Sequence, residues 1–94
     1  MGIQETILDQ INSTDRRAML AWGAKDLKGS GTSLFFKVNG PKFSRGWIEV
    51  EYKAGPDTYT VKAFKMYKGH RKMHKEIDDV YCDSLVQVID GIVG

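Results

Sequence analysis

Apolar positions divide this chain into a helix, a run of strands and a second helix. Ile3, Ile7, Leu8 and Ile11 recur along one helical face, which predicts a helix over about 3–12. Asn12-Ser13-Thr14-Asp15 then reads as a stop and turn. The stretch Arg16–Leu27 suits either state. Asp15 could cap a helix there, but Gly23 sits in its middle and the apolar run Ala18–Trp22 is short, which favours a strand at about 17–22. Lys28-Gly29-Ser30-Gly31-Thr32-Ser33 reads as a flexible turn, too short for an interdomain linker.

Leu34, Phe36 and Val38 alternate with Phe35 and Lys37 as in a strand, and Asn39-Gly40-Pro41 ends it. The cleanest strand is Trp47–Lys53, where Ile48, Val50 and Tyr52 face one way and Trp47, Glu49, Glu51 and Lys53 the other. Ala54-Gly55-Pro56-Asp57 closes it. Tyr59–Lys68 changes phase: Tyr59, Val61 and Ala63 are apolar at odd positions, Phe64 and Met66 at even ones. An extra residue near Ala63–Lys65, a β-bulge, would re-aim the alternation. Gly69-His70 turns the chain into a last strand at about 71–78, carrying Met73 and Ile77.

Tyr81, Leu85, Val88, Ile89 and Ile92 mark a C-terminal helix capped by Asp78 or Asp79, with Asp83 in its first turn. The fold class is therefore α+β: an N-terminal helix, an antiparallel meander of about five strands and a C-terminal helix, in two layers. Residues 1–94 suit a single domain.

Composition is close to the globular average, at 41% hydrophobic and 28% charged residues. No apolar run approaches a membrane span, and MGIQETILDQ lacks the features of a secretory signal. MGIQET formally fits the short myristoylation pattern, but Glu5 and the helical spacing suit ordinary structure. Cys82 is the single cysteine, which excludes an internal disulfide and points to a reducing, cytoplasmic setting.

The net charge of +2 conceals a segregation. Lys62, Lys65, Lys68, Arg71, Lys72 and Lys75 fall in a 14-residue stretch without an acid. The remaining eight basic residues are set against all twelve acidic ones, so the rest of the chain carries −4.

Short strings resemble a group of small uncharacterised proteins from phages and mobile elements. They are Ala21-Trp22-Gly23-Ala24-Lys25-Asp26, Ser33-Leu34-Phe35-Phe36-Lys37, Asp57-Thr58-Tyr59-Thr60-Val61 and Val80-Tyr81-Cys82-Asp83-Ser84-Leu85, in that order. The chain departs from the group at Trp22, where the pattern has a smaller residue, and at Cys82, where it has Ala. The resemblance implies a small phage or prophage product and supports a strand at 17–22. It implies no activity and no catalytic residues.

Catalytic and cofactor chemistry finds little footing. His70 and His74 are four residues apart on a hairpin, about 13 Å along a strand, which is too far for one metal ion. Cys82 has nearby histidines but sits among Asp78, Asp79 and Asp83, and reads as a half-buried structural cysteine. Glu49 and Glu51 read as a solvated strand face. Gly29-Ser30-Gly31 lacks the lysine of a phosphate-binding loop, and no cofactor fingerprint is present.

The basic hairpin remains. Its cations interleave with Phe64, Tyr67, His70 and His74, a mixture that can pair with phosphates and stack on bases. The phase change puts Lys62, Phe64 and Met66 on one side and Lys65 and Tyr67 on the other, concentrating charge only at the tip, Lys68–Lys72. Lysines on an edge hairpin also serve solubility. The expected function is a non-catalytic binding protein. It contacts a nucleic-acid backbone or an acidic protein surface through Lys65, Tyr67, Lys68, His70, Arg71, Lys72 and Lys75. Trp47 beside Arg45, with the out-of-phase Phe35, offers aromatic anchors for the alternative, a modulator or inhibitor that docks on a host protein.

Overall fold

In the computed structural model, which describes residues 2–94, helix α1 spans Ile3–Thr14 and a one-turn helix α2 spans Ala18–Ala21. Five strands follow: β1 Lys25–Ser30, β2 Ser33–Val38, β3 Gly46–Lys53, β4 Thr58–Tyr67 and β5 His70–Val80. A 3-10 turn at Cys82–Ser84 leads into α3, Leu85–Val93. The strands form one antiparallel sheet in chain order, and the α+β arrangement is the expected one. None of the described helices is long and apolar enough to cross a membrane.

Both long helices pack on the same face of the sheet. Ile7 and Ile11 from α1, with Leu85, Ile89, Ile92 and Val93 from α3, meet Leu34, Phe36, Val38, Ile48, Val50, Val61 and Ala63. The strand contributors sit at alternate positions, as a pleated sheet requires. Among the described residues, no helix covers the opposite face.

The segment 17–22 is a correction: it is helical, and Gly23 is the reason. Gly23 takes φ +63, its amide donates to the Leu20 carbonyl, and the Ala24 amide donates to that of Met19. That pair of bonds is the Schellman stop, in which glycine lies just past the last turn. The glycine that argued against a helix is the device that ends one.

The missing strand lies later, across the end of the ambiguous stretch and the first half of the one expected as a flexible turn. β1 is exposed along its whole length and shows no apolar alternation. Backbone pairing with β2 holds it, from Lys25 opposite Lys37 to Ser30 opposite Ser33, and leaves Gly31-Thr32 as the turn. As an edge strand rich in charge, it needs no buried side chain.

Two further expectations change. β4 stays in continuous register with β3, so it carries no extra residue. The bulge occurs at the predicted level but on β5, where Ala63 faces Lys75 and Phe64 faces Met73, leaving His74 unmatched. Phe64 and Met66 simply point to the open face. The C-terminal helix also begins later than expected, because β5 continues to Val80, paired with Tyr59. Asp78 and Asp79 belong to that strand, and the Asp78 carboxylate accepts from the Thr60 hydroxyl at 3.0 Å. Tyr81 is therefore exposed and lies outside the apolar face of α3.

Candidate nucleic-acid interface

The last pairing of β4 with β3 is Phe64 with Trp47. Beyond it, Lys65–Tyr67 pair only with His70–Lys72, so the hairpin continues as a two-stranded tongue. Lys68 (φ +49) and Gly69 (φ +83) form its turn. Two successive left-handed residues match the right-handed twist of the flanking strands.

Cross-strand partners lie on one face, so the pairs Lys65–Lys72 and Tyr67–His70 define the tongue's helix-side surface, and Ala63–Lys75 continues it into the sheet at the tongue's base. The bulged His74 stacks on Phe43, with ring centroids 4.7 Å apart. Lys65 lies 5.6 Å from the Phe43 ring and Lys72 5.9 Å from that of Tyr67. Together Lys65, Tyr67, Lys72, Met73 and His74 line a cleft of about 180 Å³.

The open face disposes of the other hairpin cations differently. The Arg71 guanidinium lies 4.0 Å from the Phe64 ring centroid and donates to Glu49 at 3.3 Å. Glu49 also accepts from the Ser33 hydroxyl at 2.9 Å. Glu49 is buried, not solvated as expected. Lys62 and Lys53 each reach Glu51 at 3.3 Å. Lys62 and Arg71 are thus neutralised within the fold. Lys65, Lys68, Lys72 and Lys75 form no ion pair among the described residues.

Burial pushes the Glu51 carboxyl up, but hydrogen bonds and charge from Lys62 and Lys53 outweigh it and hold the group below its ordinary value of 4.5. A carboxyl depressed in the folded state stabilises the fold above its unfolded pKa. That contribution is lost as pH falls through the folded value. Lys62→Met is therefore expected to flatten the acid limb of the stability profile. Urea midpoints taken between about pH 7 and about pH 2 measure this. Parallel wild-type and variant profiles would refute the assignment.

The structure does not unite all the residues singled out from sequence. Lys65, Tyr67, Lys68, His70, Lys72 and Lys75 gather on the tongue's helix side and turn. Trp47 lies half-buried on the open face, beside Phe64 and Arg71. Arg45 lines a separate cleft of about 420 Å³ with Lys25, Asp26, Lys37 and Asn39. Cys82 is an exposed free thiol, not the half-buried one expected. No three His, Cys, Asp or Glu residues among those described converge as a metal site.

Sequence reasoning missed Phe43, which supports the base of the tongue, and Glu49, which takes Arg71 out of the free set. Phe43 stands alone in a loop with no periodicity to mark it. Glu49 could be placed on the correct face by alternation, but its partner lies across two strands. The chain matches no known protein-family model, and comparison with curated proteins and with solved structures finds no match.

Proposed function

We propose that this protein is a non-catalytic binding module that grips a nucleic-acid backbone with its basic tongue. Lys65, Lys68, Lys72 and Lys75 make the phosphate contacts; Tyr67, His70 and His74 supply planar surface between them. The observation that carries this reading is the direct pairing of Lys65 with Lys72 across two strands, with no ion pair to either. Like charges directly opposite each other destabilise a sheet. A polyanion relieves that repulsion, and each neutralised phosphate adds counterion release. Arg71 supports the tongue through Glu49 and does not serve as a phosphate ligand. A phage or mobile-element origin, suggested by the short sequence strings, accords with such a small module.

Gel retardation of a short DNA or RNA across a salt series tests the reading. Four phosphate contacts give a slope near −3.6, so affinity should fall about a hundredfold between about 50 and about 200 mM salt. The double variant Lys65→Glu/Lys72→Glu should lose retardation while keeping its far-UV circular dichroism. Wild-type protein that shifts no nucleic acid at low salt sinks the proposal. If it instead binds polyglutamate, the acidic-protein alternative replaces it.

A further inference from the structure

The open sheet face carries a second arrangement, on the side opposite the tongue's lysines. Strand register lays out its rows. Lys37, Trp47, Phe64 and Met73 form one row; Lys28, Phe35, Glu49, Lys62 and Glu76 form the next. The row beyond holds Ser33, Glu51 and Thr60, with Asp78 bonded to Thr60. One end of the face is therefore aromatic and cationic, and the other is hydroxylated and acidic.

At the cationic end, the ammonium groups of Lys28 and Lys37 lie 5.5 Å and 5.3 Å from the Trp47 ring centroid. Lys25 pairs across the strands with Lys37, again like charge against like. Arg45 lines a cleft with Lys25 and Lys37, next to Trp47's row, in which Asp26, 3.4 Å from Lys37, is the one carboxylate. Arg45 and Asp26 both hold φ +54, a left-handed strain that non-glycine residues rarely bear. Beside Trp47, a shallow apolar groove of about 340 Å³ runs over Phe35 and Phe64.

We propose that this end of the open face is a stacking platform for single-stranded nucleic acid. One base lies on the Trp47 indole and the flanking phosphates meet Lys25, Lys28, Lys37 and Arg45. This inference rests on the nucleic-acid reading of the tongue and narrows it to a strand class. Charge complementarity selects the occupant: Lys28 and Lys37 lie over one aromatic ring, and Lys25 and Arg45 share with Lys37 the adjoining cleft, whose one carboxylate is Asp26. Ring faces stack on any unpaired base, whereas bases in a duplex have no free face to offer. The row of Ser33, Glu51 and Thr60, with Asp78, bars the strand from the far end of the face.

Tryptophan emission reads the platform directly. Trp22 is buried and serves as the constant background, whereas Trp47 is half-buried on the open face. The full chain is titrated with oligothymidylate and, separately, with a duplex of equal length. The platform predicts quenching by the single strand alone. Trp47→Leu should remove the quenching and weaken single-strand affinity about 5- to 150-fold, the range for one stacked base. Trp47→Phe should restore most of the affinity without the signal. If Trp47→Leu does not fold, the exposed pair Lys28→Glu/Lys37→Glu replaces it and should also weaken single-strand binding at least fivefold.

Equal affinity for both forms with no quenching overturns the platform and leaves the tongue reading intact. Quenching that survives Lys65→Glu/Lys72→Glu supports the platform and removes the tongue. No binding of either form overturns both. A dimer that Trp47→Leu dissociates overturns the platform, since a second copy then covers this face.

Discussion

Replacing Trp22 by alanine is expected to cost about 3–5 kcal/mol of folding free energy. Trp22 is 1% exposed and stacks on Phe36, with centroids 6.3 Å apart and planes 7° from parallel. Its indole N–H donates to the Asp90 carboxylate at 3.2 Å, tying α2 to α3. Its carbonyl accepts from the Asn39 amide at 2.8 Å, tying α2 to the end of β2. Alanine removes the largest fully buried side chain and leaves a cavity at the junction of both layers. Domains of this size hold about 5–15 kcal/mol in total, so the loss is a large share of the margin. A fall in Tm of about 15–30 °C follows. Trp22→Phe keeps a ring against Phe36 and exposes no buried partner, since Asp90 is a surface residue. It should cost less than half as much. Urea denaturation followed by circular dichroism measures both, and a loss below about 1 kcal/mol for Trp22→Ala would falsify this account of the core.

Trp22 also marks where sequence and structure part. Elements with one wet and one dry face announce themselves. The alternation of Ile48, Val50 and Tyr52 in β3 and the spacing of Ile7 and Ile11 in α1 are imposed by burial against one core. Periodicity predicts the bounds of both elements to within two residues. β1 buries nothing, so no periodicity records it; only its backbone pairing with β2 makes it a strand. α2 is one turn long, too short for a helical pattern, and its marker, Gly23, is ambiguous until its φ is seen. The apparent phase change in β4 has a third cause. A strand that is apolar on both faces mimics a bulge, because Phe64 is buried by the Arg71 guanidinium on a face without helices. The candidate site was legible as charge segregation but not as geometry. Which cations remain free depends on Glu49 and Glu51, whose pairing with Arg71 and Lys62 is a matter of strand register.

Phe43 joins that core to the tongue, and its replacement by alanine is expected to cost about 3–5 kcal/mol while loosening the tongue ahead of the rest of the sheet. The residue is 2% exposed although it lies in the loop between β2 and β3. That loop is pinned on both sides: the Gly40 amide donates to the Phe43 carbonyl at 3.1 Å, and the Lys42 amide to that of Val93 at 3.0 Å. The ring fits against Gly46, where any Cβ would collide with its edge, and so reaches under β5 to stack on His74. His74 is the bulged residue, lacking a cross-strand partner, so Phe43 is what positions that point of β5. Without the ring, Lys65 also loses the surface over which its ammonium lies. Amide exchange in His70–Lys75 should then accelerate more than in Val50 or Val61, which sit at the sheet centre. Under the proposed function, nucleic-acid affinity should fall as well although every lysine is still present, because an unfixed hairpin must be ordered at the moment of binding. Exchange that rises uniformly across the sheet would show that Phe43 is ordinary core packing and that the tongue holds its shape by its own turn and strand pairing.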